Sequence, residues 1–435
     1  MRYYRFGPFT LDAVAGKLTI YGEHLAVARK PLAILERLLL AQGGIVTRSE
    51  LMRELWPDEP VSETTLCQHV YMLRDILRRH APDQEFVVTV HKTGYRIAVQ
   101  AQYPAQAAGT RASSLYLQGR FYLERRNEDG FLRAMRCFER VLAADPSDAP
   151  AIAGVGEAFA LLGSFAFRRP HETFPRARAM LEKALERDPN LSAAYCSLGD
   201  VLLHYDWDHK AASAMYGRAL AIDPHSVMAR TNRAWSNLAA GRSDLALADV
   251  HEALGIQPDS PRLWTMLGVA QYFRGDYDAA ETYLQSAADI DPANFLPRYY
   301  LCAVKGMRGD FDGVFDMVHA EVPNEFRQHM WSIEGFVHAK LGNSAEKERC
   351  INAIYAVAEP QYPSSYNVAM VHAGANDARA ATAALELGLR HREPWMIFAA
   401  VQPYFLPLRR DPRFIALTRR VGPFDAHAPQ RAQPA

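Results

Sequence analysis

Five prolines, each following Asp or Gln, punctuate the middle of this 435-residue chain: Pro146, Pro189, Pro224, Pro258 and Pro292. From 224 to 258 and from 258 to 292 the spacing is 34 residues each time. A fixed period of that length marks one supersecondary unit repeated in tandem. A single copy cannot bury its apolar face, so neighbouring copies must stack. The clearest copy reads Trp264-x-x-Leu267-Gly268, then Gly275, Ala280, Ala287 and Pro292. Leu198-Gly199 with Ala212, Tyr216, Ala219 and Pro224 repeats it, as does Gly156 with Phe159, Ala177, Ala184 and Pro189. Small residues fit where two helices cross closely, and bulky ones fill the gap to the next pair. Proline stops the second helix because it lacks an N–H and clashes with the preceding turn.

The period and residue pattern resemble the tetratricopeptide repeat. The resemblance implies an all-α solenoid over residues 114–422, with about six to eight repeats. From Pro146 to Pro189 the spacing is 43 residues, so the early repeats are expected to carry insertions between their helices. Residues 163–175 are expected to present aromatics and arginines as a contact loop. Past Pro292 the pattern decays, although Trp331, Gly335 and Gly342 keep its shape. Residues 408–414, from Leu408 to Phe414, resemble the closing segment of a repeat family found in bacterial regulators. The concave groove of such a stack is expected to take a protein or small-molecule effector.

The first hundred residues have a different character. Residues 3–7, 17–21 and 24–28 are short, rich in β-branched or aromatic side chains, and separated by Pro8, Gly16 and Gly22; they predict strands. A helix is predicted from about Pro31, with Leu32, Leu35, Leu38 and Leu39 on one face, ending at Gly43–Gly44. Thr47 with Glu50 has the form of a capping box opening the next helix. A third helix, about 63–79, buries Leu66, Val70, Leu73 and Leu77; Thr65, Gln68, His69, Met72 and, nearer the edge, Arg74 lie on the other side. Two strands, 86–90 and 95–99, are joined by His91-Lys92-Thr93-Gly94, with Gly94 available for positive φ. Three helices and a terminal hairpin make a winged helix-turn-helix, whose polar outer helix face suits the major groove of DNA.

An ordered set of motifs supports that reading: Phe6-Gly-Pro-Phe-x-Leu-Asp12, Gly44-Ile-Val-Thr-Arg48 with Leu51 and Leu55-Trp56, His69-Val70-x-x-Leu73-Arg74, and Thr89-Val90-x-x-x-Gly94-Tyr95-Arg96. Together they resemble the effector domain of OmpR/PhoB-type response regulators over about residues 3–99. The resemblance implies that Thr65, Gln68, His69, Met72 and Arg74 meet DNA from the recognition helix. It implies that Trp56 and Thr89 approach the backbone, and that His91 and Lys92 act from the wing. Tyr71 and Met72 stand where the family often has arginines, and the wing lacks the family's Arg-Gly-x-Gly. Residues 1–100 hold 13 Lys and Arg against 11 Asp and Glu, so modest affinity, helped by dimerisation or adjacent sites, is expected.

The fold class is therefore an α/β winged helix-turn-helix domain (1–100), a linker (101–113), an all-α tetratricopeptide solenoid (114–422) and a tail (423–435). The whole resembles the HilA-like class of one-component transcription regulators, with activation expected. Double-stranded DNA is the first expected partner, with a protein or small-molecule effector, RNA polymerase and a second copy of the chain as further candidates. The alternative is an interaction scaffold whose winged helix binds protein. Net charge is zero, which argues against coating nucleic acid or membrane through bulk charge. The longest apolar run, Trp395 to Val401, is too short to span a bilayer; no signal peptide is visible, and a cytoplasmic location is expected. The winged helix starts at residue 3, so no aspartyl-phosphate domain is expected in the same chain. Five widely spaced cysteines, no Cys-x-x-Cys, no clustered His/Cys, no phosphate loop and no nucleophile elbow give no sign of a metal, a cofactor or an enzyme.

Overall fold

Alternation of apolar and polar side chains turns the first 25 residues into a sheet. In a computed structural model, β1 (Tyr3–Phe6), β2 (Phe9–Asp12), β3 (Lys17–Ile20) and β4 (Glu23–Leu25) form an antiparallel meander in that order. The description covers residues 3–12, 16–20, 23–25, 27–41, 43–56, 62–82, 84–90, 93–99, 111–258, 260–292 and 294–422. Tyr4 pairs with Leu11, Leu11 with Leu18, and Leu18 with Leu25, so one row of buried side chains crosses the whole sheet. β2 was not among the strands expected from the sequence. The two-residue turn at Gly7–Pro8 folds it back on β1, and its four residues are too few to register as a separate run.

The winged-helix order follows: α1 (Arg29–Leu40), β5 (Val46–Thr47), α2 (Arg48–Leu55), α3 (Glu63–His80), β6 (Val87–Val90) and β7 (Gly94–Ile97). β7 lies between β5 and β6, antiparallel to both. Phe86 packs edge-on to Phe6 and Phe9, with ring centroids 5.9 and 5.1 Å apart, and ties the meander to the hairpin. α1 contributes Ile34, Leu35 and Leu38, and α3 contributes Leu66, Val70, Leu73 and Leu77, to the same core. Gly94 is needed for a reason other than the expected positive φ. A Cβ there would lie 2.0 Å from the Val46 carbonyl oxygen, so only glycine lets β5 and β7 come this close.

Contacts divide the chain into two units, Met1–Glu124 with Arg136–Ala144, and Arg125–Met135 with Asp145–Ala435. α4 (Arg111–Glu124) starts inside the segment expected to be a linker, and α5 (Glu128–Ala144) contributes to both units. The expected linker residues 101–110 and the expected tail 423–435 lie outside the described residues.

The second unit is built from helix pairs: α6 (Ala149–Ser164) with α7 (Pro170–Arg187), α8 (Ser192–Val201) with α9 (His209–Ile222), α10 (Val227–Ala239) with α11 (Ser243–Ile256), α12 (Pro261–Arg274) with α13 (Tyr277–Ile290), α14 (Phe295–Arg308) with α15 (Phe311–His319), α16 (Arg327–Lys340) with α17 (Ser344–Tyr355), and α18 (Ser365–Gly374) with α19 (Ala378–Arg390). A short α20 (Pro412–Thr418) follows. Pro189, Pro224, Pro258 and Pro292 each stand two residues past the end of a second helix. Asp208, Asp276, Asp310 and Asp377 cap second helices by accepting a backbone N–H. A Cβ on Gly199 would meet the Tyr216 ring at 2.5 Å, and one on Gly268 would meet Leu284 at 2.5 Å. These glycines hold each pair together at close range.

The expected contact loop at 163–175 is not one. α6 extends through Ser164 and α7 begins at Pro170, so most of the additional residues lengthen the two helices to 16 and 18 residues, against 14 and 14 in α12 and α13, and the rest lengthen the connection to residues 165–169, against 275–276 there. Phe167 and Phe174 are fully buried. Arg168 pairs with Glu128 and Arg169 with Glu359. The aromatics serve the core, and the arginines bind within the fold. No helix among the described residues is long and apolar enough to cross a membrane.

Candidate nucleic-acid interface

The surface formed by α2, α3 and the hairpin begins with the Thr47–Glu50 capping box. Thr47 N–H donates to Glu50 Oε2 at 2.8 Å, and Glu50 N–H donates to Thr47 Oγ1 at 3.2 Å. The Thr47 N–H bond first, and then a bond from the Thr47 hydroxyl to the same Glu50 oxygen at 2.9 Å, hold the Glu50 carboxyl below its ordinary range. At the other end of α2, the Lys30 ammonium donates to the Leu55 carbonyl and lies 4.7 Å from the Trp56 ring centroid. Trp56 is buried, and its ring packs at 5.5 Å against His69. An indole ring thus sets the spacing between α2 and the middle of α3.

Ser62 caps α3 through the Thr65 N–H. Leu66, Val70, Leu73 and Leu77 face the core as the sequence implied. The outward stripe is rotated slightly from the expected one: Thr64, Gln68, Tyr71 and Met72 are exposed, Tyr71 at 70% and Met72 at 42%. Thr65 and His69 are half-buried at its edge. His69 Nδ1 is buried without a hydrogen-bond partner. Thr64 and Tyr71 were missed; the signal for both was their place on the far side of the wheel from Leu66 and Leu73.

Arg74 points to the hairpin. Its Nε donates to the Val87 carbonyl at 2.8 Å and its Nη2 donates to Thr89 Oγ1 at 2.8 Å, while the guanidinium lies 5.9 Å from the Tyr95 ring centroid. Two residues expected to meet DNA separately are thus bonded to one another. Tyr95 is buried, with its hydroxyl 3.5 Å from Cys67 Sγ; burial first, then that neighbour, raises its pKa. Thr89 is exposed on β6. His91 and Lys92, the expected wing contacts, lie outside the described residues. Arg78 and Arg79 are exposed in the last turn of α3, with Arg79 paired to Asp75 at 2.5 Å.

The repeats hold a second surprise. The groove expected to receive an effector is filled by the chain itself. Residues 394–405 are all buried apart from the half-buried Trp395. Phe398 stacks on Phe273 of α12 at 5.6 Å and meets Trp235 of α10 at 5.7 Å. The Tyr272 hydroxyl donates to Gln402 Oε1 at 2.6 Å, and the Tyr404 hydroxyl donates to the Ala303 carbonyl of α14 at 3.3 Å. Tyr404 also packs on Phe336 of α16, and Phe405 on Tyr366 of α18. First helices of five successive pairs therefore converge on eight residues. Stacked side by side they would spread over roughly 32–40 Å, at about 8–10 Å per interface. Eight residues at about 2 Å each span roughly 16 Å. The helices must curve around the segment, so it lies on their concave side.

Residues 22–97 match the family described as "Transcriptional regulatory protein, C terminal", and residues 207–261 and 231–295 match a tetratricopeptide repeat family. The chain is 29% identical over 92 residues to the sensory transduction protein RegX3 of Mycolicibacterium smegmatis, covering 21% of this chain and 40% of that protein. It is 32% identical over 98 residues to the small glutamine-rich tetratricopeptide repeat-containing protein 2 of Mycosarcoma maydis, covering 22% of this chain and 28% of that protein. The matched segments span less than half of these relatives. Among solved structures, a monomeric mutant of IFIT1 with Gppp-AAAA superposes with a TM-score of 0.50 at 13% identity, over 90% of this chain and 86% of that one; the likeness is one of fold. An OmpR/PhoB-type winged-helix region followed by tetratricopeptide repeats is the architecture of this chain. Its matched families point to DNA-binding transcription regulation and to protein interaction, and neither is an enzyme family.

Proposed function

We propose that this chain is a one-component transcription regulator of the HilA-like class, acting as an activator, with a winged-helix unit over about residues 1–100 and repeats over about 114–422. One observation carries the reading. Opposite its buried stripe, α3 keeps an exposed stripe of Thr64, Gln68, Tyr71 and Met72 in a region that matches a transcription-regulator family. In the proposal, Gln68 and Met72 meet base edges, while Thr65, His69 and Thr89 stand at the phosphate side. Trp56 acts from beneath, by positioning His69. Arg74 holds the hairpin against α3 instead of reading a base. His91 and Lys92 are proposed as wing contacts on the resemblance alone.

The repeats then serve protein partners, among them RNA polymerase or a second copy of the chain. Because residues 394–405 fill the concave side, such partners meet the outer face or the ends of the array. A cytoplasmic location is part of the same proposal.

The test is a fluorescence-anisotropy titration of the full chain on duplex DNA at two salt concentrations. Phosphate contacts release counterions, so log K should fall nearly linearly with log salt. Weak retention that ignores salt would favour the scaffold reading, in which the winged helix binds protein.

A further inference from the structure

We infer that the duplex recognised by this chain has an A·T core in its major groove, with Gln68 on an adenine and Met72 and Tyr71 against thymine methyl groups. The inference rests on the DNA-binding reading above and deepens it. Guanine shows the major groove two acceptors, O6 and N7, and is read mainly by arginine or lysine. Adenine shows an acceptor beside a donor, which a carboxamide matches in two bonds. Thymine adds a C5 methyl, which is met by apolar surface.

The outward stripe of α3 has the second chemistry and lacks the first. Thr64, Cys67, Gln68, Tyr71 and Met72 supply a hydroxyl, a thiol, a carboxamide, a phenol ring and a thioether, with no guanidinium or ammonium among them. The cations flanking it are engaged elsewhere: Arg74 bonds Val87 and Thr89 on the hairpin, and Arg48 pairs with Glu63 in the first turn of α3 at 3.2 Å. Arg78 and Arg79 stand in the last turn, whereas helix-turn-helix proteins read bases mainly from the N-terminal residues of this helix. Tyr71 and Met72 are adjacent, 70% and 42% exposed, and are the only large hydrophobic side chains described as exposed on α3. A duplex bearing methyl groups gives both a surface to cover.

The experiment selects bound duplexes from a randomised pool with the full chain, then replaces thymines of the selected site by deoxyuridine, which removes only the methyl group. An A·T core should be enriched. Uracil replacement should weaken binding several-fold, and that sensitivity should vanish in Y71A/M72A. Gln68→Ala should lose about 5- to 150-fold at its own base pair and relax preference there. All three side chains are exposed, and an unchanged melting temperature checks that the variants fold. A guanine-centred site, or indifference to uracil with salt-dependent binding intact, overturns the inference and leaves the DNA-binding reading standing. A change in oligomeric mass in Y71A/M72A with unchanged site preference overturns it too. Absence of salt-dependent binding to any duplex overturns both.

Discussion

Arg74 on α3 donates to the Thr89 hydroxyl on β6 at 2.8 Å, so α3 and the hairpin are joined by a side chain whose sequence motif implies DNA contact. The same guanidinium satisfies the Val87 carbonyl. Replacing Arg74 by Ala leaves that acceptor without its partner, at a cost of about 1–3 kcal/mol. We expect R74A to speed amide hydrogen exchange in β6 and lower DNA affinity at every sequence alike. Arg74→Lys should not restore either, because one ammonium cannot reproduce the planar fork. A loss confined to one base pair, with exchange in β6 unchanged, would return Arg74 to the base readers.

Two kinds of glycine within the repeat helices should move stability in opposite directions when they are substituted. Gly199 faces the Tyr216 ring, which a Cβ would meet at 2.5 Å. Overpacking there should cost about 1–3 kcal/mol. Gly217 and Gly255 sit within helices, and a Cβ added to either would find nothing within 4 Å, so alanine should add about 0.5–1 kcal/mol. Urea denaturation of G199A beside G217A checks the sign of each.

How much of this was legible follows from how local each feature is. The buried stripe of α3, the Thr47–Glu50 box and the proline stops depend on residues within a turn or two of one another, and their spacing carries them. The lock between Arg74 and the hairpin joins residues 13 and 15 positions apart. A long cation has nearer acidic neighbours, Asp75 and Glu63, so sequence alone could not choose. Residues 163–175 misled for a related reason. Phe167, Phe174 and two arginines read as an exposed loop, yet the arginines' partners Glu128 and Glu359 lie far along the chain. The array's prolines showed where helices end, but not that a downstream apolar segment would turn back into the curve.

Desolvated histidines and a desolvated aspartate, the buried His329 and the half-buried His204 and Asp200, should give the protein a stability maximum in pH. Burial holds His329 down to about 4, with Asn367 Nδ2 3.2 Å from Nδ1, and burial likewise holds His204 down to about 4. An unfolded histidine titrates near 6.5, so below that value the unfolded chain binds protons that the folded one refuses. Stability falls as pH drops from about 6.5 to about 4. Asp200 has the opposite sign. Burial raises it from 3.8 to about 7, against the lowering effect of the Tyr216 hydroxyl bond at 2.7 Å. The unfolded chain releases that proton first, so stability falls as pH rises from about 4 to about 7. Each group contributes about 1.4 kcal/mol per pH unit inside its window. Melting temperatures from pH 4 to 8 should show a shallower acid limb in His329→Gln and a shallower neutral limb in Asp200→Asn. Parallel curves for either variant would contradict the assignment for that group.

Phe398 tests whether the segment inside the repeats is part of the core or an adherent strap. Its ring is 4% exposed and stacks on Phe273 with an interplanar angle of 11°. Trp395 to Val401 is the apolar run too short to span a bilayer, and the structure gives that apolarity another use, since the concave side of α10 to α18 would otherwise face water with Trp235, Phe273 and Tyr272. If the segment is core, Phe398→Ala opens a cavity and costs about 3–5 kcal/mol. Leu245→Ala, at a side chain 55% exposed on α11, should stay within about 0.5 kcal/mol. Thermal denaturation separates them: a drop for F398A well beyond that of L245A is expected. Equal melting temperatures would mean that the segment contributes little to holding the array together and leaves the groove at small cost.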